Sequence, residues 1–265
     1  MIRLVLCGFM VLGLFQSVYI ARSQDIQSLK VKADKGDATA QFDMGEAFYY
    51  GKGVPQDYGQ AAIWYEKSAL QDNIEAEYAL GYMHRYGQGV PRSNALAAFW
   101  FAGAAQGGNA AAQTELALMF EYGLGVEQDS AKAFGWYMKS AKQGNPTGDF
   151  NVGLMYQEGD GVPQNYARAI LWYHRAADNG CPAAMWNLGT MYSKGLGTPQ
   201  DFTQAYFWFD LALSMHWDNM DPNERSTLSS ERDETASHLS NAVLSQTQER
   251  AQRWVENHPT FDSTE

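Results

Sequence analysis

The stretch GKGVPQDYGQAAIWYEKSA, Gly51 to Ala69, decides the fold, because its skeleton returns at Gly87, Gly123, Gly159 and Gly195 with a fixed step of 36 residues. At that step Gly53, Gly89, Gly125, Gly161 and Gly197 form one column, and Trp64, Trp100, Trp136, Trp172 and Trp208 another. Beside the tryptophans run Tyr65, Phe101, Tyr137, Tyr173 and Phe209. Five units result: 38–73, 74–109, 110–145, 146–181 and 182–217. A period in the thirties with two helical patterns per unit predicts an all-α array of αα-hairpins, in which no unit can bury its apolar face alone.

Composition agrees. The chain has 265 residues, 45% hydrophobic and 14% aromatic, enough for a continuous core. Its N-terminus reads differently: Arg3 precedes the apolar run Leu4 to Phe15, a polar break follows at Gln16 and Ser17, and Ala21-Arg22-Ser23 stands before Gln24. Residues 1–23 therefore read as a cleavable secretory signal, the alternative being an uncleaved anchor, and the mature chain is expected to be periplasmic or secreted without membrane insertion. Cleavage removes Arg3 and Arg22 and no acid from 19 basic and 30 acidic residues, leaving 17 against 30. Such a balance repels phosphate backbones, so nucleic acid is not an expected partner. Cleavage also leaves Cys181 as a lone cysteine, which rules out an internal disulfide in the mature chain.

Taken in order, 24–37 reads as an N-terminal capping helix. Asp37, Asn73, Asn109 and Asn145 are N-caps for the first helix of their units, with Cys181 breaking the column. That helix spans about 13 residues and carries Gly45, Gly81, Gly153 and Gly189, with Ala117 in the third unit, a column read as close helix approach. The paired glycines then supply left-handed residues for the turn, and Asp57, Ser93, Asp129, Asn165 and Asp201 cap the second helix. Asp57 with Gln60 and Asp201 with Gln204 have capping-box spacing. The Trp and Tyr/Phe columns are expected to form the core. Residues 218–265 hold 10 acids and 4 arginines and are expected to make a C-terminal helical cap and tail: a helix from Pro222 to about Leu239, and a second opened by a capping box at Ser245.

The pattern AxAQFxxG followed by YGxGVPQDYxxAxxWYxKSA resembles the Sel-one-like repeat (SLR) family, relatives of the tetratricopeptide repeat, over residues 26–217. The resemblance implies a right-handed superhelix, or solenoid, acting as an adaptor or scaffold for a protein or peptide, often in secretion, envelope maintenance or host interaction. The cysteine pairs of the penicillin-binding branch of that family are absent. By the same resemblance the first helices line a concave face, with unit positions 2, 5, 9 and 12 in the groove and positions 7, 8 and 11 buried.

No catalytic motif stands out. The chain lacks Gly-x-Ser-x-Gly, His-Glu-x-x-His, Gly-x-x-x-x-Gly-Lys and Cys-x-x-Cys, and its five histidines share no ligand spacing. No enzyme activity, cofactor or metal is expected. The alternative is an enzyme or accessory module acting on cell-wall material through carboxylates of neighbouring units. The candidate binding residues are aromatic and cationic: Phe42, Tyr78, Phe150 and Trp186 at position 5, Tyr82 at position 9, and Tyr49 and Arg85 at position 12. Tyr49, Tyr78, Tyr82 and Arg85 make the densest cluster, and rigid aromatics beside a charge suit an extended peptide or a partner helix. The competing reading of position 5 is packing against the next unit. On the outer face of the second unit, Leu96, Phe99 and Gly103 stand where other units carry charge. That stripe reads as a partner or self-association patch centred on Phe99, with ordinary surface scatter as the alternative.

Overall fold

The computed structural model describes residues 26–215 and 220–258; the expected signal segment lies outside them. Among the described residues there are thirteen α-helices and no strand. A single helix, α1 (Ile26–Asp34), precedes five hairpins. These are α2 (Ala38–Tyr50) with α3 (Tyr58–Ala69), α4 (Ile74–Tyr86) with α5 (Asn94–Gln106), and α6 (Ala110–Tyr122) with α7 (Ser130–Lys142). Then follow α8 (Pro146–Glu158) with α9 (Tyr166–Asp178), and α10 (Pro182–Lys194) with α11 (Phe202–Ser214). The chain closes with α12 (Pro222–Ala236) and α13 (Asn241–Glu256). The described helices fall into two compact units, 26–143 and 144–258.

Local chemistry sets each boundary. The carboxylate or amide oxygens of Asp37, Asn73, Asn109 and Asn145 accept from backbone N–H groups three residues on, at 2.8–3.0 Å. Cys181 makes no such bond. Its side chain is fully buried. Each first helix ends on a left-handed glycine, Gly51 at φ 68° for example, and the second glycine of the pair, Gly53, is left-handed too at φ 75°. The glutamine of Val-Pro-Gln-Asp then closes the turn: Gln56 Nε2 donates to the Tyr49 carbonyl at 2.7 Å, and Gln164 Nε2 to that of Gln157 at 2.8 Å. Asp57 and Asp201 cap their helices, but the one reciprocal capping box among the described helices is Asp221 with Glu224. The last helix starts at Asn241 behind the cap Ser240, one turn before the expected Ser245.

The glycine column inside the first helices is a seat for a ring. A Cβ on Gly45 or Gly81 would lie under 3.0 Å from the ring of Tyr65 or Phe101, and one on Gly153 or Gly189 equally close to Tyr173 or Phe209. Those four rings and Tyr137 are at most 1% exposed, so each forms the core of its own hairpin; burying one such ring contributes about 1.5–3 kcal/mol. The tryptophan column behaves otherwise. Trp64 and Trp208 are buried, but Trp100, Trp136 and Trp172 remain partly exposed. In repeats 1, 3 and 4 a cation three residues on covers the indole: Lys67 over Trp64 at 4.0 Å, Lys139 over Trp136 at 3.6 Å and Arg175 over Trp172 at 4.5 Å. Buried methionines occupy position 10 (Met83, Met119, Met155, Met191), whereas position 11 is partly exposed at Phe48, His84, Phe120 and Tyr192. Positions 7 and 8 are buried as expected, Met44 and Gly45 for example, and Tyr156 is buried at position 11, so the difference is confined to position 10 taking the place of position 11 in the other repeats.

At the C-terminal end, α12 and α13 pack on α11. Phe207 and Leu211 are buried there, with the Arg250 guanidinium 3.9 Å from the Phe207 ring centre and Gln248 Nε2 donating to the Tyr206 hydroxyl at 2.9 Å. The terminal helices therefore cover the apolar stripe of the fifth repeat, as its sequence requires.

Candidate functional site

Within residues 26–143 the first two repeats bring tyrosines together from three helices. Tyr49 and Tyr50 end α2, Tyr82 and Tyr86 end α4, and Tyr58 opens α3. The Tyr49 ring lies 4.9 Å from Tyr50 and 5.0 Å from Tyr58, both edge-on, and Tyr82 lies 4.5 Å from Tyr86. The Tyr49 hydroxyl donates to Gln88 Oε1 of the next repeat at 2.7 Å. Partial burial, then the neighbouring phenols and Glu46, push Tyr50 up to about 12 and raise Tyr49 further, so both stay neutral hydrogen-bonding groups across the physiological range. Tyr86 is 47% exposed and Tyr58 36%, which leaves aromatic edges and hydroxyls facing solvent on a rigid helical support.

Under this surface lie two buried carboxylates. Glu46 accepts from the Tyr65 hydroxyl at 2.6 Å and keeps its second oxygen unpartnered; desolvation raises its pKa. Glu115 forms a buried ion pair with Arg85 across the α4 and α6 helices, and its pKa is raised by desolvation against the pull of that arginine. The charges acting on Glu46 are those of Lys52, Asp43 and Glu75. Among the described residues no three His, Cys, Asp or Glu side chains are grouped to hold a metal ion.

The sequence-derived residues divide accordingly. Tyr49 and Tyr82 come together at the surface, and Phe42 is partly exposed beside Tyr65 at 5.6 Å. Tyr78 is only 8% exposed because it packs on Phe101 at 5.8 Å, and Phe150 only 2% because it packs on Tyr173 at 5.7 Å. At those two places the packing reading of position 5 describes the side chain. Arg85 is turned inward to Glu115 and is 6% exposed, so it supports the surface from below. Trp186, expected in the groove, donates its indole N–H to Glu231 of α12 at 2.5 Å, because the terminal helix lies against its repeat. Phe99 stands apart from the cluster on the outer side of α5, 64% exposed. Tyr50, Tyr58, Tyr86 and Gln88 were missed, although the Tyr-Gly pairs 50–51, 86–87 and 122–123 recur visibly in the sequence.

The Sel1 repeat family matches residues 38–73, 74–109, 110–145, 146–181 and 182–216. Among solved structures, a Sel1 repeat protein from Oxalobacter formigenes is 26% identical with a TM-score of 0.69, covering 76% of this chain and 82% of its own. A protective antigen of uropathogenic Escherichia coli displaying an SLR fold is 24% identical, with a TM-score of 0.40, covering 87% of this chain and 71% of its own. An immunity protein from Pseudomonas aeruginosa is 19% identical, with a TM-score of 0.43, over 83% of this chain and 78% of its own. No curated protein is similar enough to match.

Proposed function

The chain belongs to the Sel1 repeat family, whose members are generally protein-interaction scaffolds, and we propose that it is a non-catalytic adaptor that holds a protein or peptide segment on the first-helix face of its first two repeats. The observation that carries this reading is the tyrosine cluster of Tyr49, Tyr50, Tyr58, Tyr82 and Tyr86. Rigid rings give contact area at little entropic cost, and their neutral hydroxyls hydrogen-bond backbone groups of an extended ligand. The buried Arg85–Glu115 pair fixes the surface from beneath and spends no exposed charge on the ligand.

The test replaces exposed rings and leaves the packed ones alone. Tyr82→Ala with Tyr86→Ala is expected to weaken a partner captured from envelope extract by more than tenfold, with little change in melting temperature. Binding at wild-type strength would remove the cluster from the ligand site.

The same proposal places the protein in the cell envelope or outside the cell, on the strength of the signal-like residues 1–23. No helix among the described residues is long and apolar enough to cross a membrane. Edman sequencing of exported protein is expected to begin at Gln24; an intact Met1 would replace cleavage by anchoring.

A further inference from the structure

The repeats treat their outer tryptophans by a rule, and the second repeat breaks it. Repeats 1, 3 and 4 each cover the indole with their own cation three residues on, Lys67, Lys139 and Arg175. The equivalent residues in repeats 2 and 5 are Gly103 and Leu211. Repeat 5 solves the problem with an added helix: α13 covers Leu211 and Phe207 and brings Arg250 over the Phe207 ring. Phe99 is the repeat-2 equivalent of Phe207, Trp100 of Trp208, and Gly103 of Leu211. Yet Phe99, set edge-on against Trp100, is 64% exposed, and Leu96 one turn before it and Ile63 of α3 are open as well.

The surface there is acidic as well as apolar. A groove of about 520 Å³ runs along α3 and α5, walled by Ile63, Leu96 and Trp100 and edged by Asp57 and Glu66, and no lysine or arginine lines it. At Gly103 the carboxylate of Glu77 lies where a Cβ would be; the equivalent acid of the fourth repeat, Asp149, has Arg175 beside it, whereas the second repeat has no cation at that position. Burial and Asp72 raise the Glu77 pKa, the response of a carboxylate that lacks a cation.

We infer that this outer groove of the second repeat docks a basic amphipathic helix of another protein, whose apolar side covers Phe99 and Leu96 and whose Lys or Arg takes the empty cation place beside Trp100 and Glu77. The mode is the one α13 uses on repeat 5, supplied in trans; the face is separate from the tyrosine cluster and independent of it. Apolar anchors give the affinity and the acidic edge selects against acidic helices.

The probe is a fluorescein-labelled synthetic peptide of residues 240–258 of this chain carrying Glu249→Lys and Glu256→Lys, titrated into the full chain by anisotropy. Saturable binding is expected, weakened at least tenfold by Phe99→Asp and, separately, by Gly103→Lys, which returns the cation in cis. A peptide with Arg250→Gln and Arg253→Gln, and with Glu249 and Glu256 left as they are, is expected to bind at least tenfold more weakly to the wild-type chain. Phe99 is exposed, so its variant should melt as the wild type does; if it does not, Gly103→Lys and the peptide series decide the matter. No binding, binding unchanged by Phe99→Asp in a normally folded chain and by Gly103→Lys, or equal binding of the arginine-free peptide would overturn the inference. So would a doubled mass in light scattering that Phe99→Asp returns to monomer, since the occupant would then be a second copy.

Discussion

Gly89→Ala is expected to cost about 3 kcal/mol or more and to lower the melting temperature by roughly 6 °C or more. Two effects add. Gly89 holds φ at 68°, where any Cβ is strained, and that Cβ would also lie under 3.0 Å from the backbone carbonyl group of Tyr58 in the preceding repeat. Backbone cannot swing aside as a side chain can. The second glycine of the turn is therefore the point at which one repeat rests on the start of the previous repeat's second helix, and Gly125 on Asn94 and Gly197 on Tyr166 show the same approach. Gly53 supplies the control: it has a similar φ of 75°, but its Cβ would meet only the Ile26 side chain at 3.8 Å. Gly53→Ala should then cost only about 1 kcal/mol, from backbone strain alone. Gly135, helical in α7 with nothing within 4 Å of a Cβ, should gain about 0.5–1 kcal/mol on change to Ala. Thermal melts of the three variants check the series, and equal losses at Gly53 and Gly89 would show that close approach between repeats contributes nothing.

Much of this fold is written in single residues. N-caps and left-handed glycines each act within four residues, so a 36-residue period that repeats them, with Cys181 the one break among the caps, fixes where helices begin and end. What the period does not state is which column touches which. The glycine at position 8 and the ring that fills it are 20 residues apart, as in Gly45 and Tyr65, so the sequence supported close helix approach but not a seat for that particular ring. Positions 10 and 11 both fit a three-and-four spacing. The run of Met83, Met119, Met155 and Met191, against the polar His84 next to Met83, was the available clue to the buried one. Beyond the repeats no column exists to align, and the start of α13 was accordingly placed one turn late.

The arrangement of the candidate residues was legible in the same partial way. Tyr49 and Tyr82 stay partly exposed, as their helix positions suggest, although other helices pack against them too. The exposure of Tyr78, Phe150, Arg85 and Trp186 is decided by Phe101, Tyr173, Glu115 and Glu231, each contributed by another helix. A helical wheel carries no information about those neighbours. The Trp column misled for the opposite reason: large aromatics were assigned to the core, whereas Trp136 and Trp172, each capped by a cation three residues on, remain partly exposed.

Asp149→Asn is expected to stabilise the 144–258 unit at pH 8 by up to about 3 kcal/mol and to flatten its pH dependence. Asp149 sits at position 4 of the fourth repeat, where repeats 1 and 3 carry Gln41 and Gln113, whose side-chain amides donate to carbonyls at the end of the preceding helix. A carboxylate cannot donate. Asp149 is fully buried, neither oxygen has a hydrogen bond, and Arg175, itself half exposed and lying over Trp172, reaches Oδ1 only to 3.2 Å. Desolvation therefore outweighs the arginine and raises the Asp149 pKa from 3.8 to about 6. A folded pKa above the unfolded one means that the folded state holds the proton more tightly. The contribution is fully present below about pH 4 and is lost as pH rises through 6, so the wild type should gain stability on acidification from pH 8 to 5. The substituted chain keeps a neutral group throughout and leaves Arg175 in water over its indole. Melting curves at pH 8, 6.5 and 5 decide the point: a wild type and variant with parallel pH profiles would mean that Asp149 is already satisfied at neutral pH, and that its place in the Gln column has no electrostatic consequence.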